Sequence, residues 1–483
     1  MVTQHLSEED TQTDIVDSVL QTIDENDGGS SQSFFLPSTN AGNMKKVTIC
    51  TLPDKVSRNN HPLSLHKITT FVKSAVGKTK KKKASTAATT LIKVGGVDRS
   101  APVAAAIARA FPMYNRKTSS TNANAEEEAE AGADVIFSCL DADLKECRSP
   151  DSESAVAEGV RLACRLVDTT PEELTTEAFA DECRQVANQF ADSGVTMTEI
   201  AGEELLEKGY GGIYGVGKAA VCPPRLVILE YEPASGESKE TVALVGKGIV
   251  YDTGGLSIKT KTGMPGMKHD MGGAAGLLGG FVAAVRLQVD RKVKLVLCLA
   301  ENAIGPAAVR NDDILTLYSG KTVEINNSDA EGRLVLGDGV AHATKHFEDC
   351  DLIMDMATLT GAQLVATGKT HAGILANSIE LEQRVVKAGL LSGDLVFPLL
   401  YAPELLKVEF KSAVADMKNS VKDRGNAQSS CAGHFIESHL CPDYKGGWVH
   451  VDMAGPASKD ERGTGYGVAL VLAMLEAPGF REV

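Results

Sequence analysis

Short apolar runs separated by helical segments dominate the chain from Pro224 to its C-terminus. They include R-L-V-I-L-E-Y, T-V-A-L-V, V-K-L-V-L-C-L-A, D-L-I-M-D-M-A-T-L and W-V-H-V-D-M-A. Continuous apolar runs of this length are typical of strands that are buried on both faces of a sheet. Because these runs alternate with helices, we predict an α/β fold with a mostly parallel central sheet flanked by helices on both sides. In such sheets, ligands bind at the carboxyl ends of the strands.

The N-terminal third of the chain carries a weaker form of the same alternation. Strands are predicted at Val47–Leu52 and Asp134–Ser138, and an alanine-rich helix is predicted at Ala101–Phe111. These elements indicate a smaller α/β domain. We predict a polar, partly disordered segment, an N-terminal α/β domain, a linker helix and a C-terminal α/β domain, at residues 1–44, 45–150, 151–170 and 171–483.

Charged residues stand among small and apolar ones between Ile325 and Gly339, in the run I-N-N-S-D-A-E-G-R-L-V-L-G-D-G. Asp329, Glu331 and Arg333 alternate there, whereas a solvated surface would carry scattered lysine and glutamate without glycine. Carboxylates that cluster on a buried loop repel each other unless a cation lies between them. By itself, this run fits either a metal site or a turn with an aspartate cap and an Arg-Glu salt bridge.

Two earlier runs repeat the pattern, V-G-K-G-I-V-Y-D-T-G-G-L-S-I-K and M-P-G-M-K-H-D-M-G-G-A-A. Their charged residues lie among glycines and apolar residues, which indicates a buried polar site: Lys247, Asp252, Lys259 and Asp270. With Asp329 and Glu331, the chain offers four carboxylates. Divalent ions take such oxygen ligands, and two ions can share bridging carboxylates. The three runs together therefore favour a metal site over a simple turn.

These runs resemble the site motifs of the leucyl aminopeptidase family, the M17-type cytosolic aminopeptidases that use two metal ions. N-N-S-D-A-E-G-R-L is similar to the family's N-T-D-A-E-G-R-L, and both lysine-containing runs resemble its other site motifs at the expected spacing. The resemblance covers the chain from about Leu166 to the C-terminus. It is closest to an animal branch of aminopeptidase-like proteins, which shares G-G-I-Y-G-V-G-K-A-A and S-A-V-A-D-M-K-N-S-V. Residues 171–483 would then form the catalytic domain.

The resemblance implies a ligand set for two divalent ions, Zn²⁺ or Mn²⁺, with Mg²⁺ also compatible with the oxygen ligands. Asp252 and Glu331 would bridge the two ions. Asp329 would complete one site, while Lys247 and Asp270 would complete the other. Lys247 would bind as the neutral amine, which requires a pKa well below about 10.4. The sequence also allows Lys247 to be a plain counter-ion to Asp252.

Lys259 and Arg333 are the catalytic residues that the resemblance implies. Lys259 would stay charged and polarise the scissile carbonyl or hold the metal-bound hydroxide. Arg333 would hold a bicarbonate ion that acts as general base, although the residue alone suggests an arginine that stabilises an oxyanion. The implied reaction releases N-terminal amino acids, apolar and leucine-like, by attack of a hydroxide bound to two metals. The free α-amine of the peptide substrate would ligate one metal.

Five residues are expected to contact the substrate. Leu359, Thr360 and Gly361, in T-L-T-G-A, would offer main-chain contacts. Met267 and Ala454 resemble residues that line the family's apolar side-chain pocket, although Met267 could equally be a plain core residue.

Two further polar residues lie next to the motifs. Asp338, in L-G-D-G, is predicted to make a structural hydrogen bond. His269 precedes Asp270 and is predicted to lie behind the ligands or at the surface, because the family pattern requires no histidine there.

Composition limits the partners and the compartment. The net charge of -15 and a pI of about 5.2 argue against nucleic-acid binding and give no reason to expect an anionic membrane partner. The basic run at Lys78–Lys83 fits either a nuclear-localisation or anion-binding patch or a solvated loop.

The N-terminus shows no signal peptide, and the longest apolar stretch, Gly272–Val285, is too short to span a bilayer and is predicted to be a buried helix. Ten scattered cysteines without a C-x-x-C pair fit a reducing compartment, so we predict a cytoplasmic protein.

Three functions are compatible with these observations. The first is a metal-dependent aminopeptidase acting on peptides. The second is a catalytically weak relative that serves as a hexameric scaffold or interaction protein, and the third is a nucleic-acid-binding regulator. The presence of all five implied ligands, together with Lys259 and Arg333, favours the enzyme. The resemblance also implies a homohexamer.

Overall fold

The structure, a computed structural model, divides the chain into two compact units. The first comprises Met1–Phe111 and Lys117–Arg148, and the second comprises Pro112–Arg116 and Ser149–Val483. The residues that it describes are 18–19, 21–23, 30–37, 44–53, 55–76, 90–95, 99–117, 135–140, 143, 145–236, 238–347 and 349–481. The basic run Lys78–Lys83 lies outside them, as does most of the predicted segment at residues 1–44.

The first unit is a small α/β arrangement, as predicted. Its described elements are strands β1 (Ser31–Pro37), β2 (Met44–Cys50), β3 (Thr90–Gly95) and β4 (Val135–Leu140), and helices α1 (Leu65–Val76) and α2 (Ser100–Ala108). Strand β1 pairs antiparallel with β2, while β3 pairs parallel with β4. Apolar faces of α1, α2 and the second strand pair form the core, where Ile68, Val103, Ile107 and Cys139 pack together.

The second unit holds the larger set of elements. Its helices are α3 (Pro150–Asp168), α4 (Thr176–Gln189), α5 (Glu203–Glu207), α6 (Gly211–Gly217), α7 (Gly272–Arg286), α8 (Gly332–His346), α9 (Gly361–Ala366), α10 (Ile379–Ser392), α11 (Pro403–Leu406), α12 (Gln428–Glu437) and α13 (Val468–Met474). Its strands are β5 (Thr196–Ala201), β6 (Arg225–Tyr231), β7 (Thr241–Asp252), β8 (Lys292–Asn302), β9 (Ile314–Thr316), β10 (Thr322–Glu324), β11 (Leu352–Ala357), β12 (Ala372–Ala376), β13 (Val396–Pro398), β14 (Met417–Lys418), β15 (Gly447–Asp452), β16 (Ser458–Lys459) and β17 (Arg462–Gly463).

A central eight-stranded sheet organises this unit, in the order β13-β12-β15-β11-β7-β8-β6-β5. Four of its seven neighbouring pairs are parallel, so the predicted mostly parallel sheet is confirmed. The pairs β12–β15, β6–β8 and β5–β6 are antiparallel. A separate three-stranded sheet has the order β14-β10-β9.

Four adjacent parallel strands bring their carboxyl ends to one edge of the central sheet. In β7 and β8, Asp252 is paired with Asn302, and in β11 and β15, Ala357 is paired with Asp452. Strand β11 also runs parallel to β7 and joins the two pairs. Residues that are distant in sequence therefore meet at this edge, as expected for a ligand site in an α/β sheet.

Helix α7 is buried along almost its whole length, as predicted for Gly272–Val285. Gly279 permits its close approach to α3, since a Cβ atom at Gly279 would lie 2.4 Å from the main-chain oxygen of Gly159. Helix α3, predicted as a linker, thus packs within the second unit. None of the helices in the described part of the chain is long and apolar enough to cross a membrane.

Candidate active site

The predicted ligands come from three chain segments that meet at the carboxyl edge of the sheet. Lys247 and Asp252 lie on β7, where the pairing with β8 shifts register between Ile249 and Asp252. Asp270 lies in a short 3-10 turn at Met267–Met271, directly before α7. The third segment is the loop between β10 and α8, which carries the remaining two carboxylates, Asp329 and Glu331.

Three of the carboxylates form a tight cluster. Asp252, Asp329 and Glu331 each offer one oxygen, and these oxygens all lie within 4.8 Å of one another. Asp252 and Glu331 are buried, with exposed fractions of 2% and 3%. Burial raises the pKa of Glu331 and of Asp329, and the nearby charge of Asp252 raises both further. Such a cluster needs positive charge beside it to remain ionised.

Two lysines supply positive charge to the cluster. The ammonium nitrogen of Lys247 lies 2.8 Å from Asp270 Oδ2 and 2.9 Å from Glu331 Oε1. The ammonium nitrogen of Lys259 lies 2.7 Å from Asp252 Oδ2 and 2.5 Å from Asp329 Oδ1. The salt bridges of Lys247 thus join it to Asp270 and Glu331, while Asp252 is paired with Lys259.

The lysines are charged when protein groups alone surround them. Burial by itself lowers the pKa of Lys247, but the carboxylates of Asp270 and Glu331 outweigh burial and raise that pKa above its ordinary value. The pKa of Lys259 rises in the same way, since Asp252 and Glu331 outweigh the effect of burial. A divalent ion among these carboxylates would oppose this effect.

The donor set fits divalent cations. Glu331 Oε2 is buried and has no hydrogen-bond partner among the described residues. Asp270 Oδ2 and Asp329 Oδ1 each meet a lysine ammonium group, at 2.8 and 2.5 Å. Buried carboxylate oxygens without donors are costly. Cations coordinated by these oxygens and by one amine would remove that cost.

Glycine permits the close packing of these groups at two positions. Gly254 has a φ of +84°, and a Cβ atom there would lie 2.8 Å from Asp329 Oδ1. A Cβ atom at Gly332 would lie 2.5 Å from Cε of Lys247. Any larger residue would push the lysine or the carboxylate away, which explains why glycines accompany the charges in the sequence.

Arg333 lies in the first turn of α8, close to Glu331. Its Nη1 donates to the main-chain oxygen of Asn419 at 3.0 Å, while its Nε is buried without a hydrogen-bond partner in the described structure. Burial lowers the pKa of Arg333 to about 10, so it remains a cation near neutral pH. A buried guanidinium with a free donor fits a small anion such as bicarbonate.

The predicted substrate loop follows β11 and touches the cluster through Thr358. Thr358 accepts a hydrogen bond from Lys247 Nζ at its main-chain oxygen, at 3.0 Å, and donates its hydroxyl to Asp270 Oδ1 at 2.8 Å. Leu359 is half-buried, Thr360 is buried and Gly361 is exposed at the start of α9. The loop therefore starts beside the carboxylates at Thr358 and reaches the surface at Gly361.

Met267 and Ala454 lie close in sequence to site residues. Met267 is the first residue of the 3-10 turn that carries Asp270, and Ala454 follows the end of β15. Both are half-buried, which is compatible with pocket-lining residues. His269 is also half-buried, and burial lowers the pKa of its imidazole.

Three buried polar residues support the site and were not identified from the sequence. Asn302, at the end of β8, donates to Asp252 Oδ1 at 2.8 Å and to the main-chain oxygen of Ser328 at 3.1 Å. Asp452, at the end of β15, accepts from the Thr360 hydroxyl at 2.6 Å. Asn419 contacts the loop that carries Asp329. Position at the end of an apolar run is the only signal that the sequence offered for Asn302 and Asp452, and it offered none for Asn419.

Comparisons with known proteins identify the family. The model of the cytosol aminopeptidase family, catalytic domain, matches residues 161–472, and that of the M17 aminopeptidase N-terminal domain 2 matches residues 3–120. The chain is 50% identical over 428 residues to the "Probable aminopeptidase NPEPL1" of Mus musculus, covering 89% of this chain and 79% of that protein. It is 46% identical over 377 residues to leucine aminopeptidase 1 of Caenorhabditis elegans, covering 77% and 72%.

Solved structures give the same result for the fold. Leucyl aminopeptidase from Trypanosoma brucei in complex with actinonin matches with a TM-score of 0.85 and 41% identity, covering 96% of this chain and 87% of that one. Leucyl aminopeptidase from Leishmania major in complex with actinonin matches with a TM-score of 0.86 and 38% identity, covering 97% and 89%.

Proposed function

This chain belongs to the cytosol aminopeptidase family, the M17 metallo-aminopeptidases, and we propose that it releases apolar, leucine-like residues from the N-termini of peptides. Aminopeptidases of this family are hydrolases with two metal ions. The observation that carries the proposal is the buried group of carboxylate oxygens from Asp252, Asp329 and Glu331, within 4.8 Å of one another and faced by two lysines. Burying so much like charge is costly unless cations bind there.

In this proposal, two divalent ions would be held by Asp252, Glu331 and Asp329 together with Lys247 and Asp270. Zn²⁺, Mn²⁺ and Mg²⁺ are all compatible with these ligands. When bound, the two ions would lower the pKa of a water molecule and polarise the scissile carbonyl. Glu331 Oε2, which has no hydrogen-bond partner among the described residues, supports a role as a metal ligand, since only Oε1 faces Lys247.

Lys247 would have to lose its proton in order to serve as a ligand. Its raised pKa arises from the carboxylates of Asp270 and Glu331, and cations on those carboxylates would cancel this effect. Burial then acts alone and favours the neutral amine. Lys259, whose side chain is 16% exposed, would stay charged and face the substrate carbonyl.

Arg333 would hold a bicarbonate ion next to the carboxylate cluster. The buried and unpartnered Nε supports this assignment, because an anion there would accept a hydrogen bond that no described residue accepts. An anion held there would supply a general base for the reaction. Arg333 itself remains protonated throughout.

The substrate would lie along the loop after β11. Leu359, Thr360 and Gly361 would offer main-chain groups to the peptide, and Met267 with Ala454 would line the pocket for its first side chain. A site that recognises a free α-amine explains why the reaction would occur only at an N-terminus. By analogy with the family, we also propose a cytoplasmic homohexamer.

The experiment that tests the proposal starts from protein stripped of metal with a chelator. It is then given Zn²⁺ or Mn²⁺ and assayed on a panel of dipeptides and aminoacyl amides. Cleavage that returns with metal, fails on N-acetylated substrates and is lost in Glu331→Ala supports the aminopeptidase. Folded protein that cleaves nothing at any metal loading would overturn it and favour a scaffold or interaction protein.

A further inference from the structure

Asn419 reaches the site loop because two short strands pair. Strand β14 runs parallel to β10, with Glu324 opposite Lys418. Asn419 follows β14 directly, and its main-chain N–H donates to the oxygen of Glu324 at 3.1 Å. The pairing therefore places Asn419, which is 0% exposed, beside the start of the loop that carries Asp329. The segment A-D-M-K-N-S-V therefore lies beside the segment E-I-N-N-S-D.

The side chain of Asn419 uses its full hydrogen-bonding capacity on this loop. Its Oδ1 accepts from the main-chain N–H groups of Asn326 at 2.9 Å and Asn327 at 3.3 Å. Its Nδ2 donates to the main-chain oxygens of Asn327 at 2.7 Å and Ala330 at 3.3 Å. An amide is the side-chain group that can both accept and donate in this way.

The bonds of Asn419 span the loop from residue 326 to residue 330. Asp329 lies within this span, and Glu331 follows it. In addition, the main-chain oxygen of Asn419 accepts from Arg333 Nη1 at 3.0 Å. One residue thus fixes the main chain on both sides of a carboxylate and also fixes the direction of the arginine. Asn302 holds the same loop from the sheet side, through the Ser328 oxygen.

We propose that Asn419 is a positioning residue that sets the geometry of Asp329 and Arg333 for metal and anion binding. The proposal rests on the function proposed above for these two residues. It needs no contact between Asn419 and the substrate. A site held within a fraction of an ångström depends on such supporting hydrogen bonds, and loss of a supporting partner commonly weakens metal affinity by about 10–100-fold.

Two substitutions test the proposal. Asn419→Ala removes all four side-chain bonds. Asn419→Asp keeps the size of the residue and the two accepted bonds, but turns a carboxylate oxygen towards the oxygens of Asn327 and Ala330. Asn377→Ala is the control, because Asn377, although exposed, also accepts from and donates to the main chain, at Trp448 N (2.9 Å) and Gly446 O (3.1 Å). These contacts lie at the start of β15, at the opposite edge of the sheet from Asp452.

Three measurements are made on the full chain. Calorimetric titration of the stripped protein with Mn²⁺ gives the affinity of each metal site. Hydrogen exchange followed by mass spectrometry gives the protection of residues 326–330 without metal. Steady-state kinetics on a leucyl amide separate kcat from KM.

We expect both Asn419 variants to bind one Mn²⁺ about 10–100-fold more weakly than wild type and to exchange faster at residues 326–330. Their kcat should fall by a similar factor, with little change in KM. Asn377→Ala should lower thermal stability without these local effects.

Wild-type affinity and wild-type exchange in both Asn419 variants would overturn the inference, as would equal metal loss in Asn377→Ala. Failure of both Asn419 variants to fold would also overturn it, since Asn419 would then be needed for the fold as a whole. If wild type itself binds no Mn²⁺ or Zn²⁺, the proposed function fails. The exchange measurement still decides whether Asn419 orders the loop.

Discussion

Helix α8 brings together two buried acids with opposite surroundings. Glu331 lies directly before the helix, and Asp338 lies inside it. Asp338 Oδ2 accepts from the N–H of Ile213 at 2.8 Å, and its Oδ1 accepts from the N–H of Tyr318 at 2.7 Å. Glu331 has a lysine on Oε1 and no hydrogen-bond partner for Oε2 among the described residues. Both residues are buried, with exposed fractions of 0% for Asp338 and 3% for Glu331.

Burial therefore does not separate a structural acid from a functional one. It raises the pKa of Asp338 to about 7 and raises the pKa of Glu331 as well. The difference lies in what each oxygen meets. The protein supplies main-chain donors to Asp338, as predicted from L-G-D-G, whereas it leaves an oxygen of Glu331 unsatisfied beside two further carboxylates. An acid of the second kind is costly to keep ionised, and a cation bound to its free oxygen would lower that cost.

The largest effect should come from Glu331→Gln. We expect kcat/KM to fall by at least about 10³-fold, because the change removes the charge of a proposed metal ligand and with it several kcal/mol of metal-dependent stabilisation. Stability without metal should change by less than about 1 kcal/mol, since the change also relieves repulsion with Asp252. Denaturant unfolding with and without Mn²⁺ measures this stability. A large loss of stability in the absence of metal would show that Glu331 is a structural acid like Asp338.

Asp338→Asn should give the reverse result. The amide would turn N–H groups towards the N–H of Ile213 or Tyr318, so we expect a loss of about 2 kcal/mol in the free energy of unfolding. Activity per folded molecule should stay within about 2-fold of wild type, which corresponds to less than about 0.5 kcal/mol. Urea unfolding and leucyl-amide hydrolysis at 20 °C measure the two quantities. A tenfold loss of kcat/KM in fully folded protein would contradict the distinction between the two acids.

Asp452→Asn tests an intermediate case, a fully satisfied acid that holds the substrate loop. Asp452 accepts from the N–H groups of Leu359 and Thr360 at 3.2 and 3.3 Å, and from the Thr360 hydroxyl at 2.6 Å. We expect KM to rise by about 10-fold, or about 1.4 kcal/mol, because the loop loses one anchor. Metal affinity should not change, which calorimetric titration checks. Weaker Mn²⁺ binding would show that Asp452 acts on the carboxylate cluster instead.

The fold of the second unit was largely predictable from local sequence. Runs such as T-V-A-L-V are buried on both faces, as their composition indicates. The direction of each strand was harder to predict, because direction depends on the route of the connecting segment and not on the strand itself. Strand β6 shows this, since it reads like β7 in sequence but runs antiparallel to β8.

The candidate site was predictable where charged residues stood next to glycine. It was not predictable where asparagine side chains hold the loops in place. Lys247, Asp252 and Asp270 stand out because charges are rare in apolar strands and turns. Asn419 does not, since asparagine is a common turn residue and its partner Asn327 is 92 positions away in sequence. Only the pairing of β10 with β14 reveals what Asn419 contacts.

The smallest effect concerns the pH dependence of stability near Asp338, where the imidazole of His439 lies against Gly337 of α8. Burial lowers the pKa of His439 to about 3, from 6.5 for a free histidine. Since the folded pKa is depressed, the unfolded chain binds a proton first as pH falls, and stability present above pH 6.5 is lost progressively below it. As pH falls from 7.5 to 5.5, this histidine should lower the free energy of unfolding by about 1 kcal/mol.

His439→Gln isolates this contribution, because glutamine can still bond the Ser319 hydroxyl, which lies 2.7 Å from His439 Nδ1 in wild type. We expect the variant to lose less stability on acidification than wild type, by about 1 kcal/mol over that range. Urea unfolding of both proteins without metal, at pH 7.5 and 5.5, measures the difference. Parallel acid losses in the two proteins would mean that the pKa of His439 is the same in the folded and the unfolded chain.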